Sequence, residues 1–248
     1  MFSIFSKSKP KLIDLIPDNY IDIHSHLLPG IDDGAKSLED SQYLIEKLMD
    51  FGTKQLITTP HILKSVWNNT PEIIKSKLEE TNLYLNNLQL SIPIKAAAEY
   101  MLDSYFMDLL QSEEKLMTLK ENYLLVEMSY IQPPINLFDM LFEIKQHGYQ
   151  PVLAHPERYL FYHQNYDDYK KLKRAGCFFQ MNLLSTVGYY GKNVALITDK
   201  ILADGFYDFV GSDVHHEKHI QSFQNKLVIK NHTPLKTSID NNNIFSFS

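Results

Sequence analysis

The sequence predicts an α/β fold, a distorted TIM-like barrel of seven strand–helix steps. Three observations point to it. Short apolar runs alternate with longer stretches whose apolar residues recur at helical spacing, the pattern of parallel βαβ units. The 248 residues suit one such barrel. Imidazoles and carboxylates collect where the strands end, which is the working face of a β/α barrel.

Tyr20-Ile21-Asp22-Ile23-His24 reads as the first strand. Leu44, Ile45, Leu48 and Met49 give 38–51 helical spacing, and Gly52 stops that helix. Gln55-Leu56-Ile57-Thr58-Thr59 is strand-like, and Pro71 opens a helix through Leu78, Leu85 and Leu88. Ile94-Lys95-Ala96-Ala97-Ala98-Glu99 is the third strand despite its alanines. Tyr123-Leu124-Leu125-Val126-Glu127 is the fourth. Helices at 136–147, 166–175 and 193–204 each run through a glycine into a strand. Those strands are Pro151-Val152-Leu153-Ala154-His155, Cys177-Phe178-Phe179-Gln180-Met181-Asn182 and Asp208-Phe209-Val210-Gly211-Ser212-Asp213. Residues 1–17 read as an N-terminal extension and 18–248 as a single domain.

Composition narrows the function classes. Net charge is −6, without the basic stripe of a nucleic-acid binder. No apolar run is long enough for a transmembrane helix, so stable membrane insertion is not expected. Phe2, Ile4 and Phe5 with Lys7, Lys9 and Lys11 offer at most a weak anchor. The single cysteine, Cys177, excludes an intrachain disulfide and suits a reducing, cytoplasmic setting. A phosphate loop built on Cys177 would need arginine at position 183, where the chain has Leu183.

The strand ends carry the chemistry. His24 and His26 end the first strand, and His61, Glu99 and Glu127 the next three. His155 ends the fifth, and Asp213 and His215 the last. Singly, each has an ordinary explanation as a hydrogen-bonding residue, a cap or an ion-pair partner. Together, so many buried groups are costly without metals or mutual pairing. His-x-His puts two imidazoles on one side of an extended strand, and Asp213-x-His215 repeats the arrangement. Nitrogen and carboxylate donors suit Zn²⁺, Mn²⁺ or Fe. The donors exceed one tetrahedral site, so two or three divalent ions are implied. Such a centre clamps a phosphoryl group and activates water. Asp32 and Asp33 sit in a turn before the first helix, and spacing alone leaves open which reaches a metal. Arg158, three residues after His155, is a candidate phosphate ligand or a surface ion pair.

These motifs resemble the polymerase and histidinol phosphatase (PHP) superfamily. They are Asp22-Ile23-His24-Ser25-His26, Thr59-Pro60-His61, Ala98-Glu99, Ala154-His155-Pro156-Glu157-Arg158-Tyr159 and Gly211-Ser212-Asp213-Val214-His215. The stretch His24-Ser25-His26-Leu27-Leu28-Pro29-Gly30-Ile31-Asp32-Asp33-Gly34 is similar to the bacterial tyrosine-protein phosphatases of capsule and exopolysaccharide loci. The resemblance covers about 18–220. It implies a phosphoric monoester hydrolase with three metals, commonly manganese, acting on the phosphotyrosine tail of a bacterial tyrosine kinase. By motif, His24, His26, Glu99 and Asp213 would hold the first ion. Glu99 as a bridge, Glu127 and His155 would hold the second, and Asp33, His61 and His215 the third. Arg158, His61 and His215 would be catalytic. The family often has a second arginine after the Asp-x-His motif; here Lys218, His216 or His219 would substitute, with Lys218 and His216 as the substrate contacts. A small-molecule phosphatase, acting for example on histidinol phosphate, and a non-catalytic phosphotyrosine-binding module are the alternatives. The oligomeric state is left open.

Overall fold

The computed structural model describes residues 9–112, 114–230 and 232–247. Among the described residues nine parallel strands form two hydrogen-bonded ladders: β1 (Tyr20–Asp22), β2 (Thr53–Thr58) and β4 (Ile94–Ala96) in one. The other runs β3 (His61–Ile62), β5 (Glu99–Met101), β6 (Tyr123–Glu127), β7 (Gln150–Ala154), β8 (Phe178–Asn182) and β9 (Phe209–Gly211) in that order.

Nine strands replace the seven expected because two are broken in mid-run. Pro60 has no N–H for the ladder and interrupts the second strand, which resumes at His61. Ala97 and Ala98 mark the matching break in the third. The ladder still crosses the gap, since Ala97 N donates to Thr58 O (2.9 Å) and Glu99 N to Pro60 O (3.1 Å).

The opposite seam, between β1 and β9, is closed at the mouth by the backbone. Asp213 N donates to His24 O (2.7 Å) and His26 N to Val214 O (2.9 Å). Deeper in the barrel side chains seal it. The Asp22 carboxylate accepts from Ser212 N at 2.8 Å. Buried Asn242 donates to Ile21 O (2.9 Å) and Val210 O (2.8 Å) and accepts from Val210 N (3.2 Å). The sheet thus becomes a seven-step barrel with two bulged strands and one side-chain seam.

Helices cover the outside: α1 (Leu38–Asp50), α2 (Pro71–Asn87), α3 (Ser104–Gln111), α4 (Leu137–Gln146), α5 (Asp167–Arg174), α6 (Lys192–Ala203), α7 (Glu217–Ser222) and α8 (Thr233–Asn241). Ser37 caps α1 by accepting from Asp40 N, and Thr70 caps α2, which has proline in its first turn. The sequence reading did not anticipate α3, α7 and α8. Each spans only two or three turns, too few for periodicity to register.

Ile21, Ile23, Ile57, Leu125, Val152 and Phe209 come from five strands or their immediate ends and form one buried cluster, the barrel interior, with Phe245 packed into it. A larger cluster packs the helices, through residues such as Leu44, Leu48, Met140 and Ile144, onto the outer face.

Residues 10–16 are docked rather than loose. Leu12 is fully buried, Leu12 N donates to Asn225 O and Leu227 N to Pro10 O, both at 3.0 Å. The suggested anchor residues Phe2, Ile4, Phe5 and Lys7 lie outside the described residues. Among the described residues no helix is long and apolar enough to cross a membrane.

Candidate metal centre

The barrel brings the nine sequence-predicted donors to one mouth. His24 and His26 follow β1, His61 opens β3, Glu99 opens β5 and Glu127 ends β6. His155 follows β7, Asp213 and His215 follow β9, and Asp33 sits on the loop before α1. His24, His26 and Glu99 are fully buried.

Second contacts fix the tautomers of the first two imidazoles. His26 Nδ1 lies 2.8 Å from Asp32 Oδ2, so that nitrogen carries the proton. His24 Nδ1 lies 2.7 Å from Gln180 Oε1, an amide oriented by Nε2 donating to Met181 O. The neutral rings therefore turn lone pairs toward each other, Nε2 to Nε2 at 3.3 Å. Two carboxylate oxygens face the same point. Glu99 Oε2 and Asp213 Oδ1 are each 3.2 Å from His24 Nε2 and 3.4 Å from His26 Nε2.

Four electron-pair donors with no hydrogen among them repel unless a cation or extra protons lie between. Five of the separations among them measure 3.2–3.4 Å. A divalent cation among them, about 2.0 Å from a nitrogen or oxygen ligand as first-row metals sit, would relieve that repulsion. Without an ion, protons take that place. Burial alone lowers the basicity of His24 and His26, but Glu99 and Asp213 around His24 and Asp32 beside His26 outweigh it. Both imidazoles bind protons more tightly than usual.

Two further groupings adjoin this one. His61 Nε2 and His215 Nε2 each lie 3.4 Å from Asp33 Oδ1. Glu99 Oε1 lies 3.2 Å from His155 Nε2, and His61 Nδ1 lies 2.8 Å from Glu127 Oε1 and 3.2 Å from Glu99 Oε2. Buried Glu99 Oε1 and His61 Nδ1 nevertheless have no aligned hydrogen bond. They are close but aimed past one another, as donors around a shared ion would be. Glu99 is held well below its usual range: burial pushes it up, and His24 and His61 more than reverse that.

Asp32 and Asp33 divide the work that the turn left ambiguous. Asp32 is buried, orients His26 and accepts from Gly34 N (2.9 Å). Asp33 is half-exposed and faces the outer imidazoles.

Backbone strain concentrates at the mouth. His155 (φ 36°) and Asp213 (φ 51°) are left-handed non-glycine residues, a conformation that persists only where the surroundings impose it. Two glycines permit close approach. A Cβ at Gly34 would lie 2.2 Å from His26 O, and one at Gly211 would lie 2.6 Å from His24 Cβ.

Arg158 is no surface ion pair. Its NH1 donates to Asp213 Oδ2 (2.9 Å), and its guanidinium carbon lies 4.8 Å from the Tyr130 ring centre and 4.2 Å from that of Tyr190. The two rings hold it over a mouth cavity of about 200 Å³ that His216 and His219 also line. Lys218 and His216, the expected substrate contacts, are placed differently. Lys218 lies exposed on α7 and is not among the described residues lining the cavity, whereas His216 and His219 are. Sequence reasoning missed Tyr130, Tyr190, Gln180 and Asn182, whose Nδ2 donates to Asp213 Oδ2 at 2.7 Å. It also missed the buried carboxylate of Glu157, which accepts from Asn182 N (2.9 Å) and Ser185 Oγ (2.7 Å) and so braces the turn between His155 and Arg158.

Fold and site together define the class: a β/α barrel built around a candidate multinuclear metal centre. Residues 20–226 match the family described as capsular polysaccharide synthesis, CpsB/CapC, and the chain belongs to that family. It is 27% identical to the putative tyrosine-protein phosphatase CapC of Staphylococcus aureus over 195 residues, 79% of this chain and 76% of that one. Over 205 residues it is 29% identical to the tyrosine-protein phosphatase CpsB of Streptococcus pneumoniae, covering 79% and 83%. A chain from the crystal structures of YwqE from Bacillus subtilis and CpsB from S. pneumoniae, metal-dependent tyrosine phosphatases, superposes with a TM-score of 0.75 at 27% identity, covering 82% and 84%. A lactonase from Listeria monocytogenes, at 13% identity and TM-score 0.53 over 94% of this chain and 96% of that one, shares the fold alone.

Proposed function

We propose that this chain is a metal-dependent protein-tyrosine phosphatase, acting in the cytoplasm on the phosphotyrosine tail of a tyrosine kinase of capsular or exopolysaccharide synthesis. The observation that carries the reading is the convergence of His24 Nε2, His26 Nε2, Glu99 Oε2 and Asp213 Oδ1, a donor set that suits a divalent cation. Relatives named tyrosine-protein phosphatases, one of them solved as metal-dependent, supply the substrate class.

Two or three divalent ions, manganese foremost, would be held as follows. His24, His26, Glu99 and Asp213 hold the first. Glu99, Glu127 and His155 hold the second, and Asp33, His61 and His215 the third. Bound, the ions supply positive charge at the phosphoryl group and acidify the attacking water.

The chain's own residues do the rest. Arg158, kept rigid by Tyr130, Tyr190 and Asp213, presents its remaining N–H donors to the equatorial phosphoryl oxygens. Asp33, half-exposed at the rim between His61 and His215, steers those imidazoles. Tyr130 and Tyr190 flank the mouth and form an aromatic collar for a phosphotyrosine ring. His216 lines the cavity and would hydrogen-bond the leaving oxygen. A phenol, with pKa about 10, leaves without strong acid assistance.

The test is hydrolysis of a phosphotyrosine peptide by metal-replete protein. Phosphate should be released, with Arg158→Lys losing about a hundredfold in kcat/KM because ammonium cannot replace the bidentate fork. Release from histidinol phosphate in preference to phosphotyrosine would contradict the assignment.

A further inference from the structure

Beside the mouth lies a second, larger cavity of about 820 Å³, whose walls include Met101, Met107, Met140, Pro133, Pro134 and Tyr130. Tyr130 lines both cavities, so the two adjoin at its ring. On one side that ring stacks on His155, with centroids 5.9 Å apart, and lies under Arg158.

The groove is apolar by construction. None of the described residues lining it is basic, and the one acid, Asp103, is engaged in accepting from Phe106 N (2.8 Å) as the cap of α3. Ile131 and Ile135 at its rim are 87% and 101% exposed. Pro133 and Pro134 lie between them, and their fixed φ stiffens the loop that holds both isoleucines out in water. Exposed aliphatic surface of this kind marks an interaction site.

We propose that this groove seats an apolar side chain, preferentially aromatic, flanking the phosphotyrosine in a polypeptide substrate. The proposal rests on the phosphatase reading above. Three arguments favour this occupant. A molecule whose phosphoryl group lies under Arg158 and that leaves the mouth past Tyr130 passes onto the groove. The volume exceeds one side chain and suits a short segment of polypeptide. Methionine and proline walls adapt to a ring without demanding a particular hydrogen bond.

The experiment uses full-length, metal-replete protein and three substrates. Two are phosphotyrosine peptides of equal charge, with phenylalanine or serine at the flanking positions; the third is p-nitrophenyl phosphate, too short to reach the groove. The phenylalanine peptide should show a KM about tenfold below the serine peptide, within the range one apolar contact gives. In the Ile131→Asp, Ile135→Asp double variant, whose changes fall on exposed positions, the ratio of kcat/KM for that peptide to that for p-nitrophenyl phosphate should fall about tenfold. Equal KM values, or an unchanged ratio, would overturn the proposal. So would a variant that turns a wild-type oligomer into a monomer with wild-type peptide kinetics, since a second copy would then be the occupant. No hydrolysis of any of the three by the wild-type protein would overturn the phosphatase reading itself, and the groove proposal with it.

Discussion

His24 and His26 face each other through Nε2 atoms 3.3 Å apart, while each Nδ1 is tied to a different partner, Gln180 and Asp32. The partners set the tautomers, and the tautomers create the demand for a cation. Asp32 therefore matters for metal binding without touching the metal. Asp32→Ala should weaken Mn²⁺ affinity about 10–100-fold, the usual effect of removing a partner that orients a ligand. Calorimetric titration of the stripped protein checks it. Unaltered affinity would mean that the His26–Asp32 contact does not orient the ligand.

The pH dependence of stability should differ between stripped and loaded protein. In the stripped protein, burial lowers the proton affinity of His24, His26 and His61, and the surrounding carboxylates more than reverse that. A raised imidazole stabilises the fold fully below its unfolded value near 6.5, and that contribution is lost as pH rises through the folded value. Glu99 and Asp213, held low by the same imidazoles, contribute stability that is lost on the acid side. A bound ion replaces the protons, so the Tm gap between Mn²⁺-loaded and chelator-stripped protein should widen from pH 6 to pH 9. A constant gap would argue against these imidazoles as ligands.

Cys177 should be dispensable. It is buried just before β8, and burial pushes its thiol up to about 12. Little thiolate forms near neutral pH, so the residue is no nucleophile. Cys177→Ser should keep most of the phosphatase activity, and iodoacetamide should not inhibit the folded wild-type protein. Loss of activity in either assay would point to a phosphocysteine route.

The barrel seam should depend on Asn242. Its amide satisfies Ile21 O, Val210 O and Val210 N. Asn242→Ala strands these groups where β1 and β9 share no backbone hydrogen bonds, at a cost of about 3 kcal/mol. Urea denaturation measures it, and a loss below about 1 kcal/mol would show that water replaces the amide.

Much of this was readable from the chain because strand ends in a β/α barrel converge. Knowing that His24, His155 and Asp213 follow strands is nearly enough to place them together, and Glu99 joins them from the break between β4 and β5. What stayed hidden depends on contacts remote in sequence. His24 and Gln180 meet across 156 positions, and no local pattern marks that glutamine as the residue that orients an imidazole. The Asp32–Asp33 pair was ambiguous because both sit in one turn and only the loop's path separates their roles. The exposed position of Lys218 was not legible either, because α7 is too short to be seen by periodicity. Pro60 could have signalled the broken second strand, since a proline cannot donate to the ladder.

The central claim is that the four converging donors hold a cation. It is tested most directly by measuring the metal content of the purified protein by mass spectrometry, beside His24→Ala and His26→Ala variants. The account predicts two or three divalent ions per chain in the wild type, at least one fewer in each variant, and phosphotyrosine hydrolysis that EDTA abolishes and Mn²⁺ restores. A fully active protein without stoichiometric metal, or variants that retain the whole complement, would contradict it.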